Sequence, residues 1–180
     1  MRRLLFLSTI SVVAGCGDDT CGPGGAPDSG LLASASGIVM TYGNLRSGAN
    51  NDCPDPQAPD GVISITIEGE QSDGTGNVTM CIPRIDLLNH GSAPLGTSSS
   101  TGEDVRIIDF GGTSNNCTFT LNSGSPPTGQ AEANGVCTNG TSTAGFALTL
   151  DGNVTLNRNC GGTMDTVTVT LRGKVAVKPM

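Results

Sequence analysis

Aromatic residues are scarce in this sequence, and their scarcity limits both the core and the functions open to the protein. They make up 3% of the 180 residues, with one Tyr and no Trp. The hydrophobic core must therefore be built from Val, Ile and Leu, each of which contributes about 1.5–3 kcal/mol when buried. Sugar-binding surfaces commonly use aromatic rings as platforms, so their near absence argues against a lectin-like module.

Basic residues and histidine are also scarce. The chain has 9 Lys and Arg residues against 16 Asp and Glu residues, for a formal net charge of −7. Without a basic run, we expect no nucleic-acid partner. The single histidine, His90, precedes a glycine and is predicted to lie in a solvated loop, and no Gly-x-Ser-x-Gly motif accompanies it. The sequence thus contains no recognisable Ser–His–Asp triad, and we predict a protein that is not an enzyme.

Metal and cofactor motifs are missing as well. No Cys-x-x-Cys occurs and His90 is near no cysteine, which disfavours a zinc cluster, a thioredoxin-type site and c-type haem. Two acidic loops are faintly similar to calcium loops, but neither has the ligand spacing of an EF-hand. Their oxygen-bearing side chains are Glu70, Asp73 and Asn77 in one loop and Asp52, Asp55 and Asp60 in the other. We predict no metal site and no cofactor.

No apolar run is long enough to span a membrane as a helix. The N-terminal run, residues 4–13, is half the length of about 20 residues that a transmembrane helix needs. Arg2 and Arg3 precede this run, and the small residues Ala14 and Gly15 follow it. This three-part pattern is typical of a secretory signal peptide, which we place at residues 1–15.

The signal segment ends in Val13-Ala14-Gly15-Cys16, which resembles the lipobox of bacterial lipoproteins. In that family, cleavage precedes the cysteine, whose thiol carries a diacylglycerol and whose freed amine is acylated. The resemblance implies that Cys16 becomes the first mature residue and is lipidated with several acyl chains, such as palmitate. Two chains suffice for stable membrane anchoring. Many lipoproteins that stay in the inner membrane carry Asp directly after the lipidated cysteine, whereas this chain has Gly17 there. The resemblance therefore implies that the protein is anchored in the outer membrane, on its periplasmic or its surface-exposed face.

Six cysteines follow the lipidation site: Cys21, Cys53, Cys81, Cys117, Cys137 and Cys160. An even number in an exported chain favours three disulfides, each worth about 2–4 kcal/mol, which would compensate for a thin core. We predict the pairs Cys53–Cys81, Cys117–Cys137 and Cys21–Cys160. The first pair is favoured because Cys81 lies on the opposite strand face from its apolar neighbours and can hold an outer loop.

The mature chain divides into a tether and a domain. Residues 16–30 are rich in Gly, Pro and Asp without an apolar pattern, and predict a lipidated flexible tether. Residues 31–180 alternate apolar and polar residues and predict one β domain. We expect an all-β fold, either a single antiparallel β-sandwich of jelly-roll type or a barrel, with about eight or nine strands and disulfide staples. The predicted strands include residues 38–42, 62–68, 77–82, 105–110, 117–121, 130–137 and 166–177.

Turn-forming residues give finer predictions of strand pairing. Residues 43–61 are predicted to form a loop, and residues 117–121 and 130–137 a hairpin. Residues 151–153, Asp-Gly-Asn, are predicted to form a three-residue turn that pairs Leu150 with Val154.

Three further segments have specific predictions. Residues 85–89 suggest a short helical turn. The strand at residues 105–110 is apolar on both faces and is therefore predicted to be central. Gly173 is predicted to mark a bulge or bend in the last strand.

One pair of carboxylates is the best catalytic candidate. Glu68 and Glu70 share a predicted strand face, as a pair that hydrolyses glycosides would, but they lie at a hairpin end, where a solvated turn is the commoner explanation. Four Asn residues begin Asn-x-Ser/Thr sequences and are interpreted as turn and strand residues: Asn77, Asn116, Asn139 and Asn153.

These features favour a non-enzymatic envelope lipoprotein. Its β domain would be displayed on a tether and serve a structural or binding role, with an envelope protein or polysaccharide as partner. The Cys-, Gly- and Thr-rich composition resembles that of myxobacterial lipoproteins of unassigned function, a resemblance that implies no activity. The alternatives are a periplasmic hydrolase with a carboxylate site built from loops, and a calcium-stabilised module of adhesion type.

Overall fold

Period-two alternation produces an almost wholly β structure. The computed structural model describes residues 29–50, 53, 55–88, 91–96, 104–139 and 142–177, with the side chains of residues 50, 134–139 and 142–146 excepted. In these residues the strands are β1 Gly30–Ala35, β2 Ile38–Asn50, β3 Ser64–Gln71, β4 Asn77–Ile82, β5 Ser92–Gly96, β6 Val105–Ser114, β7 Cys117–Leu121, β8 Thr128–Asn139, β9 Ser142–Cys160 and β10 Thr163–Val177. One helical turn, α1 at Ile85–Leu88, lies in the segment where it was predicted.

The strands form one sheet that closes on itself. Its order is β10-β1-β2-β3-β4-β6-β5-β8-β9-β7, and the further pairings β10–β9 and β6–β7 complete a ring. All pairs are antiparallel except β5–β6. The all-β, disulfide-containing fold is thus confirmed in its closed, barrel-like form, with slightly more strands than predicted.

The core fills the interior of the closed sheet. Along much of the described strand length alternate residues point inward. The largest fully buried side chains are Tyr42, Phe110, Met40, Ile65, Ile67, Met80, Ile82, Ile107, Leu148, Leu150, Leu156 and Leu171. Aliphatic side chains dominate, as the scarcity of aromatic residues required. Strand β6 is flanked by β4 on one side and by β5 and β7 on the other, so its predicted central position is confirmed. Only one of its faces is buried, however, because Ile108 is 48% exposed on the outer face.

Strand β9 corrects one sequence prediction. Residues 151–153 do not turn, since β9 continues from Ser142 to Cys160 and pairs with β10 along its length. Leu150 therefore lies opposite Gly173 and Ala131 rather than Val154. Gly152 is needed for close approach, because a Cβ there would overlap the carbonyl oxygen of Thr128. The Asp-Gly-Asn sequence favours a turn only through local preference. Pairing with partner strands on both sides overrides that preference and holds these residues extended.

The neighbouring hairpin prediction is also wrong. Strands β7 and β8 do not pair with each other, and each pairs instead with a different part of β9. The long strand β9 offers its C-terminal part to β7 and its N-terminal part to β8. Residues 122–127 connect β7 to β8.

Two other local predictions need correction. The loop predicted at residues 43–61 begins later, because β2 continues to Asn50 and pairs with β3. Gly173 marks no bulge, since the register of β10 is continuous with both neighbours. It serves close approach instead, as a Cβ on Gly173 would overlap the backbone of Gly30.

The closed sheet has two distinct ends. Four short turns, at residues 36–37, 72–75, 115–116 and 161–162, lie at what we call the turn end. The opposite end, which we call the tether end, carries the start of β1 and the end of β10. No helix in the described part of the chain is long and apolar enough to cross a membrane.

Two disulfides join described residues, one near each end. Cys53–Cys81 is confirmed, and it holds Cys53 near the tether end of β4. Cys117 is bonded to Cys160 at the turn end, so the predicted pairs Cys117–Cys137 and Cys21–Cys160 are wrong. The cause is strand order: Cys117 and Cys160 lie directly opposite each other on β7 and β9, with Cα atoms 4.3 Å apart.

Candidate functional site

The outer face of β2, β3 and β4 carries a polar depression that we call the outer groove. It has a volume of about 250 Å³ and is lined chiefly by Arg46, Glu68, Glu70, Asn77 and Thr79. The residues that alternate with them on β3 and β4 point into the core, so the pleat of the strands turns these polar side chains toward solvent. Glu68 and Glu70 thus share one outer face, as predicted.

A β-bulge in β2 positions the cation of the groove. Asn44 and Leu45 together lie opposite Gly69, and the register resumes with Arg46 opposite Glu68. Asn44 adopts a φ of 50°, a conformation that Asn tolerates better than most residues. Leu45 packs against the core, where Gly69 leaves room for it. The extra residue therefore keeps Arg46 on the same outer face as the two carboxylates.

The charged groups of the groove are open to a ligand. Among the described residues, Arg46, Glu68 and Glu70 engage no hydrogen bond or ion pair through their side chains. Asn77 donates its Nδ2–H to Asp109 Oδ2 on β6 at 2.7 Å, which leaves its amide oxygen free of that bond. One guanidinium, two carboxylates and an amide oxygen suit a hydrophilic ligand that carries hydroxyl or amino groups.

A second depression extends the groove toward the tether end. It measures about 220 Å³, shares Arg46 and Glu68 with the first and reaches Thr66. Thr66 is 8% exposed, and its Oγ1 has no hydrogen-bond partner in the part of the chain that the structure describes. A buried hydroxyl without a partner costs about 1–3 kcal/mol, so Thr66 carries a local cost to stability at this depression.

The two carboxylates of the groove share one outer face of the sheet. Both Glu68 and Glu70 are exposed on the strand surface.

The loop proposed for calcium serves the fold of the turn end. Asp73 Oδ1 accepts hydrogen bonds from the backbone N–H of Thr41 at 3.1 Å and from Gln71 Nε2 at 3.0 Å. Both hydrogen bonds lower the pKa of the Asp73 carboxyl, and the bond from Thr41 has the larger effect. Gln71 is buried and also bridges to the backbone N–H and carbonyl of Thr113. Asp73 thus fastens the turn onto β2.

The second acidic loop is likewise held by protein partners. Asp55 is 5% exposed, accepts the backbone N–H of Gln57 at 2.9 Å and lies 3.8 Å from the Arg84 guanidinium. Arg84 also binds Asp86 through two hydrogen bonds of 2.7 and 2.8 Å, which lower the pKa of the Asp86 carboxyl. Among the described residues, no group of three or more acidic, His or Cys side chains could hold a metal ion.

The remaining predicted residues are scattered. Asp60 is exposed, whereas Cys16, Cys21, Asp52 and His90 lie outside the described residues. Three of the four Asn-x-Ser/Thr asparagines have described side chains, and they occupy turn or strand positions as interpreted: Asn77 on β4, Asn116 in the β6–β7 turn and Asn153 on β9.

The sequence alone did not reveal the outer groove. Glu68 and Glu70 were recognised from their alternation, but Arg46 fell in a predicted loop. The groove needs the β2 bulge, and only the pairing of β2 with β3 shows that bulge. Comparisons of the chain with protein-family models, with curated proteins and with solved structures each found no match.

Proposed function

We propose that this chain is a membrane-anchored envelope lipoprotein whose β domain binds a partner and carries no catalytic activity. The observation that carries the proposal is the signal segment ending in Val13-Ala14-Gly15-Cys16. Disulfides form and persist in oxidising compartments, so Cys53–Cys81 and Cys117–Cys160 support export. The acyl chains on Cys16 would anchor the protein in the outer membrane.

Metabolic labelling tests the anchor. Cells that express the protein are fed an alkyne-tagged palmitate, and the labelled protein is partitioned between detergent and aqueous phases. We expect the wild-type chain to carry the label and enter the detergent phase, and Cys16→Ala to lose both properties. Cys21→Ser, which alters a thiol outside the lipobox, is the control and should keep the label. A Cys16→Ala chain that stayed labelled and membrane-bound would refute the anchor.

We place the binding surface at the outer groove. The support is its chemistry: Arg46, Glu68 and Glu70 lie together on one face without protein partners among the described residues. A hydrophilic envelope component with hydroxyl and amino groups, such as a polysaccharide, would complement these groups.

Pull-down of soluble envelope glycans tests this placement. Peptidoglycan fragments and lipopolysaccharide-derived polysaccharide are incubated with the purified protein, and bound sugar is measured. We expect a double Glu68→Gln and Glu70→Gln variant to bind at least tenfold more weakly. A double Asp151→Asn and Arg172→Ala variant, which removes an exposed ion pair on β9–β10, is the control and should bind normally. Shortened glycans in the wild-type reaction alone would instead support the hydrolase alternative.

A further inference from the structure

The two observed disulfides leave two cysteines of the exported domain unassigned. Cys53–Cys81 and Cys117–Cys160 use four of the six cysteines that follow Cys16. The remaining pair is Cys21, in the tether, and Cys137, on β8. Exported domains rarely keep two free thiols, because the compartment that oxidises the other four also oxidises them.

The sheet places Cys137 at the end from which the tether leaves. Cys137 lies opposite Gly145, close to the connection between β8 and β9. Strand β9 runs from this end toward the turn end, and β1 begins at the same end, at Gly30. The tether precedes β1, so it joins the domain on the side of Cys137 and not at the turn end.

The register shows that the tether can reach. Gly30 on β1 pairs with Lys174 on β10, which pairs with Thr149 on β9, which in turn pairs with Glu132 on β8. Gly30 and Glu132 are therefore separated by three strand spacings. These three spacings span about 14 Å across the sheet, and the five residues from Glu132 to Cys137 span about 17 Å along β8. The diagonal from Gly30 to Cys137 is therefore about 22 Å. Cys21 is nine residues before Gly30, and nine extended residues reach about 30 Å. Measured in the same way, Cys160 at the turn end of β9 is much farther from Gly30 than Cys137 is.

We propose that Cys21 and Cys137 form a third disulfide that joins the tether to the β8–β9 hairpin. In the reaction, the two thiols lose two protons and two electrons and an S–S bond forms. A disulfide-donor protein of the export compartment accepts the electrons by thiol–disulfide exchange and is reduced to two thiols. The assignment rests on the proposed function in one respect: Cys16 is acylated and so does not compete for either partner.

This bond would orient the domain on the membrane. Without it, the tether from Cys16 to Gly30 has fourteen residue steps and reaches about 48 Å. With it, only the five steps from Cys16 to Cys21 separate the lipid from the β8–β9 hairpin, or about 17 Å. The tether end would then face the membrane, and the turn end with its Cys117–Cys160 disulfide would point outward.

Peptide mapping without reduction tests the disulfide. Free thiols of the full-length lipidated protein are first alkylated, and the chain is then cleaved after Asp and Glu. Aspartate and glutamate residues separate all seven cysteines, so each falls on its own peptide, residues 20–28 for Cys21 and residues 133–151 for Cys137. We expect these two peptides to run as one disulfide-linked species that reduction separates.

Two single-cysteine variants test the pairing by the free thiol that each should leave. Cys137→Ser should leave one alkylated thiol, on residues 20–28, and Cys21→Ser should leave one on residues 133–151. Acylated Cys16 together with unlinked, alkylated Cys21 and Cys137 in the wild-type protein would overturn the inference but leave the anchor intact. A disulfide between Cys16 and either cysteine would overturn both the inference and the anchor.

Discussion

Tyr42, the single tyrosine of the chain, links the core to the turn end. It is 1% exposed, its ring centroid lies 5.1 Å from that of Phe110, and its hydroxyl donates a hydrogen bond to the Gly111 carbonyl at 3.0 Å. Burial, with a smaller contribution from the charge of Asp73, raises the pKa of the Tyr42 hydroxyl well above its usual range. Ionisation of this side chain is therefore coupled to unfolding.

This coupling predicts alkaline instability. Because the pKa of Tyr42 is higher in the folded than in the unfolded state, its contribution to stability is complete below about pH 10 and is lost as pH rises beyond that. Tyr42 is the only tyrosine, so tyrosinate absorbance reports on it alone. We expect that absorbance to appear together with loss of the β circular dichroism signal. Titration near pH 10 with the sheet intact would contradict the prediction.

Gly152 tests the close approach of β8 and β9. A Cβ at this position would overlap the Thr128 carbonyl oxygen and the Leu95 side chain. Since backbone must move to accept it, we expect Gly152→Ala to lower the free energy of unfolding by about 1–3 kcal/mol. Gly48→Ala on β2, where no atom lies within 4 Å of the added methyl group, should change it by less than about 0.5 kcal/mol. Urea denaturation measures both, and equal effects would show that close approach is unimportant.

At the scale of elements, the two observed disulfides differ in access. Cys53 and Cys81 are 6% and 0% exposed, whereas Cys117 and Cys160 are partly exposed at the turn end. Thiol–disulfide exchange requires a thiolate to reach a sulfur atom. The more exposed bond should therefore react first.

Mild reduction of the native protein tests this order. After brief treatment with a thiol reductant and alkylation, we expect labels on Cys117 and Cys160 at several times the level found on Cys53 and Cys81. Reduction in denaturant is the control and should remove the difference. Preferential labelling of Cys53 and Cys81 in the native protein would contradict this order.

At the scale of the whole molecule, β10 closes the sheet. It pairs with β9 on one side and with β1 on the other. Its inward side chains include Val169, Leu171, Val175 and Val177, all 1% exposed or less. Their burial contributes about 6–12 kcal/mol, comparable with the net stability of about 5–15 kcal/mol of a whole domain.

A chain that ends at residue 162 should therefore fail to fold. Removal of β10 exposes the edges of β1 and β9 as well as the interior. We expect no cooperative urea transition for the truncated chain and a single one for the full chain. Arg172→Ala, which removes an ion pair with both side chains 66% exposed, is the control and should cost less than about 1 kcal/mol. A cooperative transition in the truncated chain would show that closure is dispensable.

The sequence by itself determined the strand composition and the inward face of most strands. Alternation predicted β4 at its observed bounds, because the side-chain period of a strand is a local property. The same alternation predicted the Cys53–Cys81 disulfide, because it placed Cys81 on the outer face of β4, within reach of a loop.

Tertiary structure decided which strands are neighbours and what the turn-like residues do. Leu148, Leu150, Val154 and Leu156 share one face, which suits a turn at residues 151–153 as well as an unbroken strand, and only pairing with β8 and β10 selects the strand. The Cys117–Cys160 bond and the outer groove depend on β9 passing β7 and on the β2 bulge. Such long-range pairings leave no local period in the sequence, because each strand's pattern records which face is buried and not which strand lies beside it.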